Sequence, residues 1–301
     1  MVSIQPQFKI HKYSREEKLL LREKGAAFTK FKSSHKRKPI KKHYLIFLSE
    51  NNFSLALNIY INFLIFVSII KFINSLNDIS LKFNRIGEVT IINPSFTQKP
   101  NRIFHNGVSV TYTNTININD MNDIVILQWD SNINTCSKMF QNLADIAEID
   151  LSNFDSSFVT DASYMFHNCI SLTSINLNGF KTSSVVNMEG MFYEDATLWS
   201  IDLSQFDTAK VKNMNHFLMS CYKIHSVNVS SFDTSQVTTM QNMFRAMHSL
   251  EFLNLSNFDT SKVKNMYGIF SFCYELSSLI ITNFNTTSVT NLEVFVLGTK
   301  N

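Results

Sequence analysis

The side chains that most often carry chemistry are present in this sequence, but they are scattered. The chain has four cysteines and eight histidines, yet it contains no Cys-x-x-Cys and no His-x-x-x-His pair, so the ligand spacing of a metal site is missing. Only seven glycines occur, and none of them belongs to a phosphate-binding phrase. Serine, histidine and aspartate do not occur in the sequence motif of a catalytic nucleophile. We therefore expect no enzyme activity, no metal and no cofactor.

A 26-residue repeat organises the second half of the chain. Six phenylalanines recur at this interval, namely Phe154, Phe180, Phe206, Phe232, Phe258 and Phe284. Columns of valine, methionine and leucine keep the same period. A long unbroken period is typical of stacked repeats, whose apolar columns form a continuous core. We therefore expect the six rings to form a buried spine.

Two periodicities alternate within each repeat. Ile175 and Leu177 are two residues apart, as on one face of a short strand. Val185, Met188 and Phe192 have offsets of three and seven, as on one side of a helix. A polar turn with an aspartate, interpreted as a helix cap, separates the two parts. The sequence therefore predicts an α/β solenoid of strand-turn-helix units on a parallel β ladder.

The repeat phrase resembles a known family. Residues 165–177 read MFHNCISLTSINL, and each following turn reads Phe-Asp-Thr-Ser-x-Val-x-x-Met or a close variant. These phrases are similar to those of BspA-like leucine-rich-repeat surface proteins, which overlap with a domain family first noted in mycoplasma lipoproteins. The resemblance covers residues 130–295 and implies a leucine-rich-repeat-like fold and a role in adhesion. Asp195 and Met247 depart from it, since they replace the cysteine of their column.

The N-terminal quarter differs from the repeats in composition. Residues 1–42 hold 13 Lys and Arg against 3 Glu, and residues 53–70 form an uncharged apolar run. The combination predicts a basic cytoplasmic arm over residues 1–50 and a transmembrane signal anchor over residues 51–73, with the repeats extracellular or lumenal. The membrane would then be contacted through residues 53–73.

Three alternatives to the signal anchor remain open. A cleaved signal peptide would make the protein secreted. A buried core helix would leave an intracellular leucine-rich-repeat scaffold. The basic cluster at residues 36–42 could instead serve nuclear import or nucleic-acid binding. Residues 136–296 carry 15 acids against 8 bases, however, which argues against a nucleic-acid partner.

The remaining chain divides into a small cap and the repeats. Residues 74–123 are expected to form a β-rich cap, with strands near 88–92 and 108–113. Residues 124–301 hold about six repeats. Cys169, Cys221 and Cys273 are spaced by 52 residues, or two repeats, which is too far for a disulfide. All four cysteines are therefore expected to be unpaired and buried.

The outward residues of the predicted strands are the candidate binding site. They are Asp150, Asn176, Trp199, Asp202, His225, Asn228, Phe252 and Asn254. Asn228, Asn254 and Asn285 also begin glycosylation sequons. The expected function is a membrane-anchored surface protein that binds a protein or glycan ligand on this face. The alternatives are a structural spacer or assembly module without a specific ligand, and packing of the two aromatic side chains on adjacent loops.

Overall fold

The computed structural model describes residues 77–296 and residue 298. These residues belong to one compact unit, Ser75–Asn301. In this part of the chain the strands are β1 (Asn77–Phe83), β2 (Gly87–Thr90), β3 (Arg102–His105), β4 (Val108–Val110), β5 (Thr115–Ile118), β6 (Val125–Trp129), β7 (Ile146–Asp150), β8 (Ser174–Asn176), β9 (Phe252–Asn254) and β10 (Ser278–Ile280). The strands expected near 88–92 and 108–113 overlap β2 and β4.

Six strands form one mixed sheet in the order β4-β3-β6-β1-β7-β8. β1 is antiparallel to both of its neighbours, β6 and β7, whereas β7 runs parallel to β8. Ile79 and Leu81 of β1 are fully buried and lie opposite Leu127 and Ile149. The sheet therefore shares its core with the first repeat. Two further pairs are β9 with β10, which is parallel, and β2 with β5, which is antiparallel.

The prediction of an α/β solenoid with strand-turn-helix units is wrong. The described residues contain no helix, and the segment from Val185 to Phe192 consists of turns and a single isolated bridge at Asn187. The expected parallel ladder is also interrupted, because the third and fourth repeats contain no strand. What remains of it is two strand pairs at opposite ends of the repeats, β7 with β8 and β9 with β10, and one isolated parallel bridge from Ser226 to Phe252 of β9.

Left-handed backbone at two positions of each repeat explains why no helix forms. One of these columns includes Tyr164 (φ 54) and His216 (φ 57), and the other includes Glu194 (φ 63) and Ser220 (φ 62). A right-handed helix needs φ near −60° at every residue, so two positive values four residues apart end it. A run of turns also returns side chains to one side at short intervals. The apolar spacing of Val185 and its neighbours therefore fits turns as well as a helix.

Backbone hydrogen bonds join each repeat to the next instead of closing a helix. Met188 N donates to Asn213 O at 3.0 Å, Gly190 N to Asn215 O at 2.8 Å, and Phe192 N to Phe217 O at 3.1 Å. Isolated parallel bridges connect equivalent residues in consecutive repeats, namely Thr135, Asp161, Asn187, Asn213, Thr239, Asn265 and Asn291. The 26-residue register read from the sequence is therefore the register of these contacts.

The repeated phenylalanines are buried as expected, with one exception. Five of the six rings are 1–3% exposed, and Phe284 in the last repeat is only partly buried. Neighbouring ring centroids lie 6.3 Å apart between Phe180 and Phe206, and 6.4 Å apart between Phe206 and Phe232. Each ring therefore lies close to the ring of the next repeat, and the column of rings fills the core between consecutive repeats.

A buried hydroxyl column accompanies the rings. Its members are Ser156, Thr182, Thr208, Thr234 and Thr260. Thr182 Oγ1 donates to Asp207 O at 2.9 Å and accepts from Asp207 N at 2.8 Å. The aspartates expected to cap helices lie beside this column and instead accept from the residue two positions on, as Asp207 Oδ1 does from Ala209 N at 3.1 Å. The side chains of Thr182 and Asp207 thus both stabilise turns.

Replacing Thr182 by valine should lower the free energy of unfolding by about 1–2 kcal/mol, because the N–H and C=O of Asp207 both lose a buried partner. Urea denaturation of the two proteins measures the loss. Thr173→Val is the matched control, since the Thr173 hydroxyl is exposed and bonds Ala147 O at 3.2 Å near water. Equal losses in the two variants would contradict a special role for the buried column.

The predicted membrane segment lies outside the described residues, as does the basic arm over residues 1–50. Within residues 77–296 and 298, no helix is both long enough and apolar enough to cross a bilayer. The single-pass membrane localisation has no part in the functional proposal.

Candidate functional site

Five of the eight predicted site residues stand in one column of the repeats. They are Asp150, Asn176, Asp202, Asn228 and Asn254, and all but the half-buried Asn176 are exposed. Asn176 Nδ2 donates to Asp150 Oδ1 at 3.0 Å, which links the first two members. The structure thus brings these polar side chains into a row, each in its own repeat.

Each member of this polar row also shapes the turn that follows it. The side-chain oxygen of Asp202 accepts from Ser204 N at 2.9 Å, and Asn228 accepts from Ser230 N at 3.1 Å. The same bond occurs at Asp150, Asn176 and Asn254. One oxygen per residue is therefore occupied, so the row has a structural task that the sequence analysis missed. The signal was available, since Asx followed two residues later by Ser or Asn favours such a turn.

The other three predicted site residues are all exposed. Trp199 is 64% exposed, Phe252 is 47% exposed, and His225 is also exposed. Lys223 Nζ lies 5.8 Å from the centroid of the Trp199 ring, a cation–π distance. An indole with this exposure does not pack into an adjacent loop, so its ring is available to a partner. These three side chains together are called the aromatic face below.

A second exposed aromatic group was missed by the sequence analysis. Tyr222 and His248 stack with centroids 4.5 Å apart, and His248 and Tyr274 lie 4.8 Å apart. Next to Tyr274, the guanidinium of Arg245 lies 4.7 Å from the Phe272 ring centroid. The signal was the 26-residue spacing of Tyr222, His248 and Tyr274, which was not one of the columns read from the sequence.

A titratable cluster joins the second, third and fourth repeats. Glu189 accepts from Tyr164 Oη at 2.8 Å and from Asn213 Nδ2 at 2.9 Å. His167 Nε2 lies 3.2 Å from Glu194 Oε2, and burial nevertheless lowers the pKa of His167, so the imidazole is neutral near pH 7. Burial, followed by the bond to Glu189, raises the pKa of Tyr164. These bonds tie repeats together, and each carboxylate already has partners.

No metal site is indicated by the side chains in the described part of the chain. No group of three or more His, Cys, Asp or Glu residues there is placed to hold a metal ion. The cysteines are unpaired and buried, as the sequence predicted. Cys169 Sγ donates to Phe140 O at 3.1 Å, and burial raises the pKa of its thiol, so it is an unreactive core residue.

The three glycosylation sequons lie at the surface. Asn228, Asn254 and Asn285 are exposed, and the side-chain oxygen of each accepts a hydrogen bond from the residue two positions on. The first two belong to the polar row of the candidate site. A glycan attached at either of them would therefore stand beside the aromatic face rather than far from it.

Comparison with known proteins identifies the kind of chain that these repeats form. The family model described as "Mycoplasma protein of unknown function, DUF285" matches residues 108–227 and residues 194–301, which together span more than half of the chain. The chain belongs to this mycoplasma repeat family. No curated protein and no solved structure matched it in the corresponding searches.

Proposed function

We propose that this protein is a binding protein without catalytic activity, and that its aromatic face recognises a protein or a glycan. The observation that carries the proposal is the exposure of Trp199. Large aromatic side chains are enriched at the centres of protein interfaces, where they contribute a large share of the binding energy. The exposed part of the indole contributes nothing to the buried core, and we interpret it as a ligand contact.

The surroundings of Trp199 support the same function. His225, Asp202 and Asn228 are exposed polar residues of the same and the following repeat. The spare amide and carboxylate atoms of the polar row can bond hydroxyl or peptide groups. The interrepeat backbone bonds hold this face on a rigid support, which limits the entropy lost on binding. The resemblance of the repeat phrase to BspA-like leucine-rich-repeat surface proteins, which are implicated in adhesion, favours recognition over a spacer role.

The two tryptophans of the chain allow a direct test. Trp129 is 3% exposed and Trp199 is 64% exposed, so iodide should quench mainly Trp199 fluorescence. Arrays of purified glycans and of purified proteins supply the probes. A true ligand should protect Trp199 from iodide, and Trp199→Ala should weaken its binding by about 30-fold, a typical loss at an interface hot spot.

The matched control is Tyr112→Ala, which removes another exposed aromatic side chain from outside the repeats. Asp202 is left unchanged because its carboxylate also shapes a turn. A ligand that binds equally well to the Trp199→Ala variant would contradict the proposed face. Failure of every array probe to bind would instead favour the alternative of a structural spacer.

A further inference from the structure

Two Asn-Gly dipeptides occur in the chain, at residues 106–107 and 178–179, and their asparagine side chains differ in hydrogen bonding. In such a dipeptide the backbone nitrogen of the glycine can attack the side-chain carbonyl carbon of the asparagine, since no glycine side chain shields that nitrogen. The attack is intramolecular, so it needs no enzyme and no cofactor. Each dipeptide is therefore a candidate for spontaneous loss of the side-chain amide.

Asn178 and Gly179 are the two central residues of an exposed turn. Phe180 N donates to Leu177 O at 3.0 Å across this turn, and Gly179 has a φ of 89°, as in a type II turn. A Cβ at position 179 would lie 2.8 Å from Ser152 O of the preceding repeat, so the turn requires glycine there. Asn178 and Gly179 are both exposed, and water can therefore reach the reacting atoms.

The side-chain amide of Asn178 makes no hydrogen bond to any described residue. The backbone N of Asn178 donates to Asn176 Oδ1 at 3.1 Å, and this bond does not involve the side chain of Asn178. Gly179 N likewise has no acceptor in the part of the chain that the structure describes. Rotation about the side-chain bonds of Asn178 can therefore bring the carbon and the attacking nitrogen together without breaking a hydrogen bond.

Asn106 also precedes a glycine, but both ends of its side-chain amide are bonded. Its Nδ2 donates to Asp123 Oδ1 at 2.7 Å, and its Oδ1 accepts from Ile124 N at 2.9 Å. Asp123 is itself buried and held in place, since its Oδ2 accepts from Asn119 N at 2.7 Å. The amide of Asn106 has to lose both bonds before its carbon can turn toward Gly107 N, and this loss raises the barrier to the attack.

We propose that Asn178 is a site of spontaneous modification, at which the folded protein converts asparagine into aspartate and isoaspartate, and that Asn106 is protected. Gly179 N bonds to Cγ of Asn178, and the side-chain nitrogen leaves as ammonia together with the proton of Gly179 N. A succinimide ring results, and one water molecule opens it. Breaking the bond between Gly179 N and Cγ gives aspartate, whereas breaking the bond between Gly179 N and the main-chain carbonyl carbon gives isoaspartate.

The product changes both the charge and the backbone of this turn. Asn178 lies two positions after Asn176, so the new carboxylate adds a negative charge close in sequence to a polar row that already contains Asp150. In isoaspartate the main chain runs through the side-chain carbon, which makes the turn one methylene longer just before the buried Phe180. The modification therefore alters the junction between the first and second repeats.

Ageing of the purified full chain, followed by peptide mass mapping, tests the proposal. The chain is kept at mildly alkaline pH in water enriched in a heavy oxygen isotope, and the peptides that contain Asn106 and Asn178 are followed. In the folded protein the peptide with Asn178 should convert at least about tenfold faster, since two hydrogen bonds restrain Asn106 alone. Its new carboxyl group should carry one heavy oxygen atom, which comes from the water that opens the ring.

Asn178→Ser is the matched variant, because serine stands at the equivalent position of the first, third, fourth and fifth repeats. It should fold, as thermal melting can establish, and the acidic form that appears on isoelectric focusing of the aged wild-type protein should be reduced or absent.

The wild-type chain unfolded in urea is the second control, since Asn106 then loses its partners and the two peptides should convert at similar rates. Equal rates in the folded protein would overturn the proposal. An unchanged Asn178 in the folded chain, over a time that converts it in urea, would mean that the turn blocks the attack and would overturn it as well.

Discussion

Phe206→Ala should lower the free energy of unfolding by about 3–5 kcal/mol, the usual cost of removing a buried aromatic ring. The Phe206 ring is 2% exposed and lies between those of Phe180 and Phe232, at 6.3 and 6.4 Å. Both neighbouring repeats are held in register by backbone bonds, so they cannot collapse into the void. Thermal and urea unfolding measure the loss.

Phe158 provides the matched control for the ring deletion. Its side chain belongs to the same kind of repeat but is 57% exposed, so Phe158→Ala removes the same atoms from water. We expect a change within about 0.5 kcal/mol for this variant, as is usual for surface sites. If the two variants lost similar stability, the column of rings would not be what holds the repeats together.

Replacing Asp195 by cysteine should make the protein more stable, by about 1–3 kcal/mol near pH 7. Asp195 is fully buried in the column that holds Cys169 and Cys221. Its Oδ1 accepts from Cys169 N at 3.0 Å, but its Oδ2 is buried without a partner among the described residues. A thiol at this position could instead donate to the carbonyl of the preceding repeat, as Cys221 Sγ does to Phe192 O at 3.0 Å.

The benefit of Asp195→Cys should grow with pH. Burial raises the pKa of the Asp195 carboxyl well above its ordinary value of 3.8, and the bond from Cys169 N offsets only part of that rise. The folded state thus holds its proton more tightly than the unfolded state does. The wild-type protein therefore loses stability as the pH rises above the unfolded pKa and toward the folded pKa. Melting temperatures of the two proteins at pH 4 and pH 7 test this difference.

The control for this substitution is Asp202→Asn. Asp202 is exposed, and asparagine can make the same turn bond to Ser204 N, so the stability at pH 7 should change little. A melting difference between wild type and Asp195→Cys that is the same at pH 4 and pH 7 would mean that the buried carboxyl does not titrate differently in the folded state. A less stable Asp195→Cys variant would contradict the argument altogether.

The sequence predicted the register of the repeats well but misjudged their local conformation. The spacing of Phe206 and its equivalents gave the correct register, because a residue that must be buried in every repeat recurs with the period of the stack. The spacing of Val185, Met188 and Phe192 suggested a helix, since it reports only which side chains share a side. It cannot report that the backbone at Glu194 and His216 adopts a positive φ.

At the candidate site, too, the sequence predicted which side chains are exposed but not which local bonds they make. Trp199 and Phe252 were predicted to face outward from strand alternation, and both side chains are exposed. Their neighbours in the polar row were interpreted as ligand-binding groups, yet Asp202 and Asn228 also hold turns through local bonds. The stack of Tyr222 and His248 was missed because it depends on how two side chains from different repeats meet.

The sequence by itself determined the period, the buried columns and the unpaired state of the cysteines, because hydrophobic burial acts on residue type at each position. Only the tertiary structure decided where the backbone hydrogen bonds go. Each N–H and C=O can be paired within a helix or with the next repeat, and local residue preferences do not distinguish the two. Contacts between residues 26 positions apart decide which of the two pairings forms, and these contacts exist only once the repeats have come together.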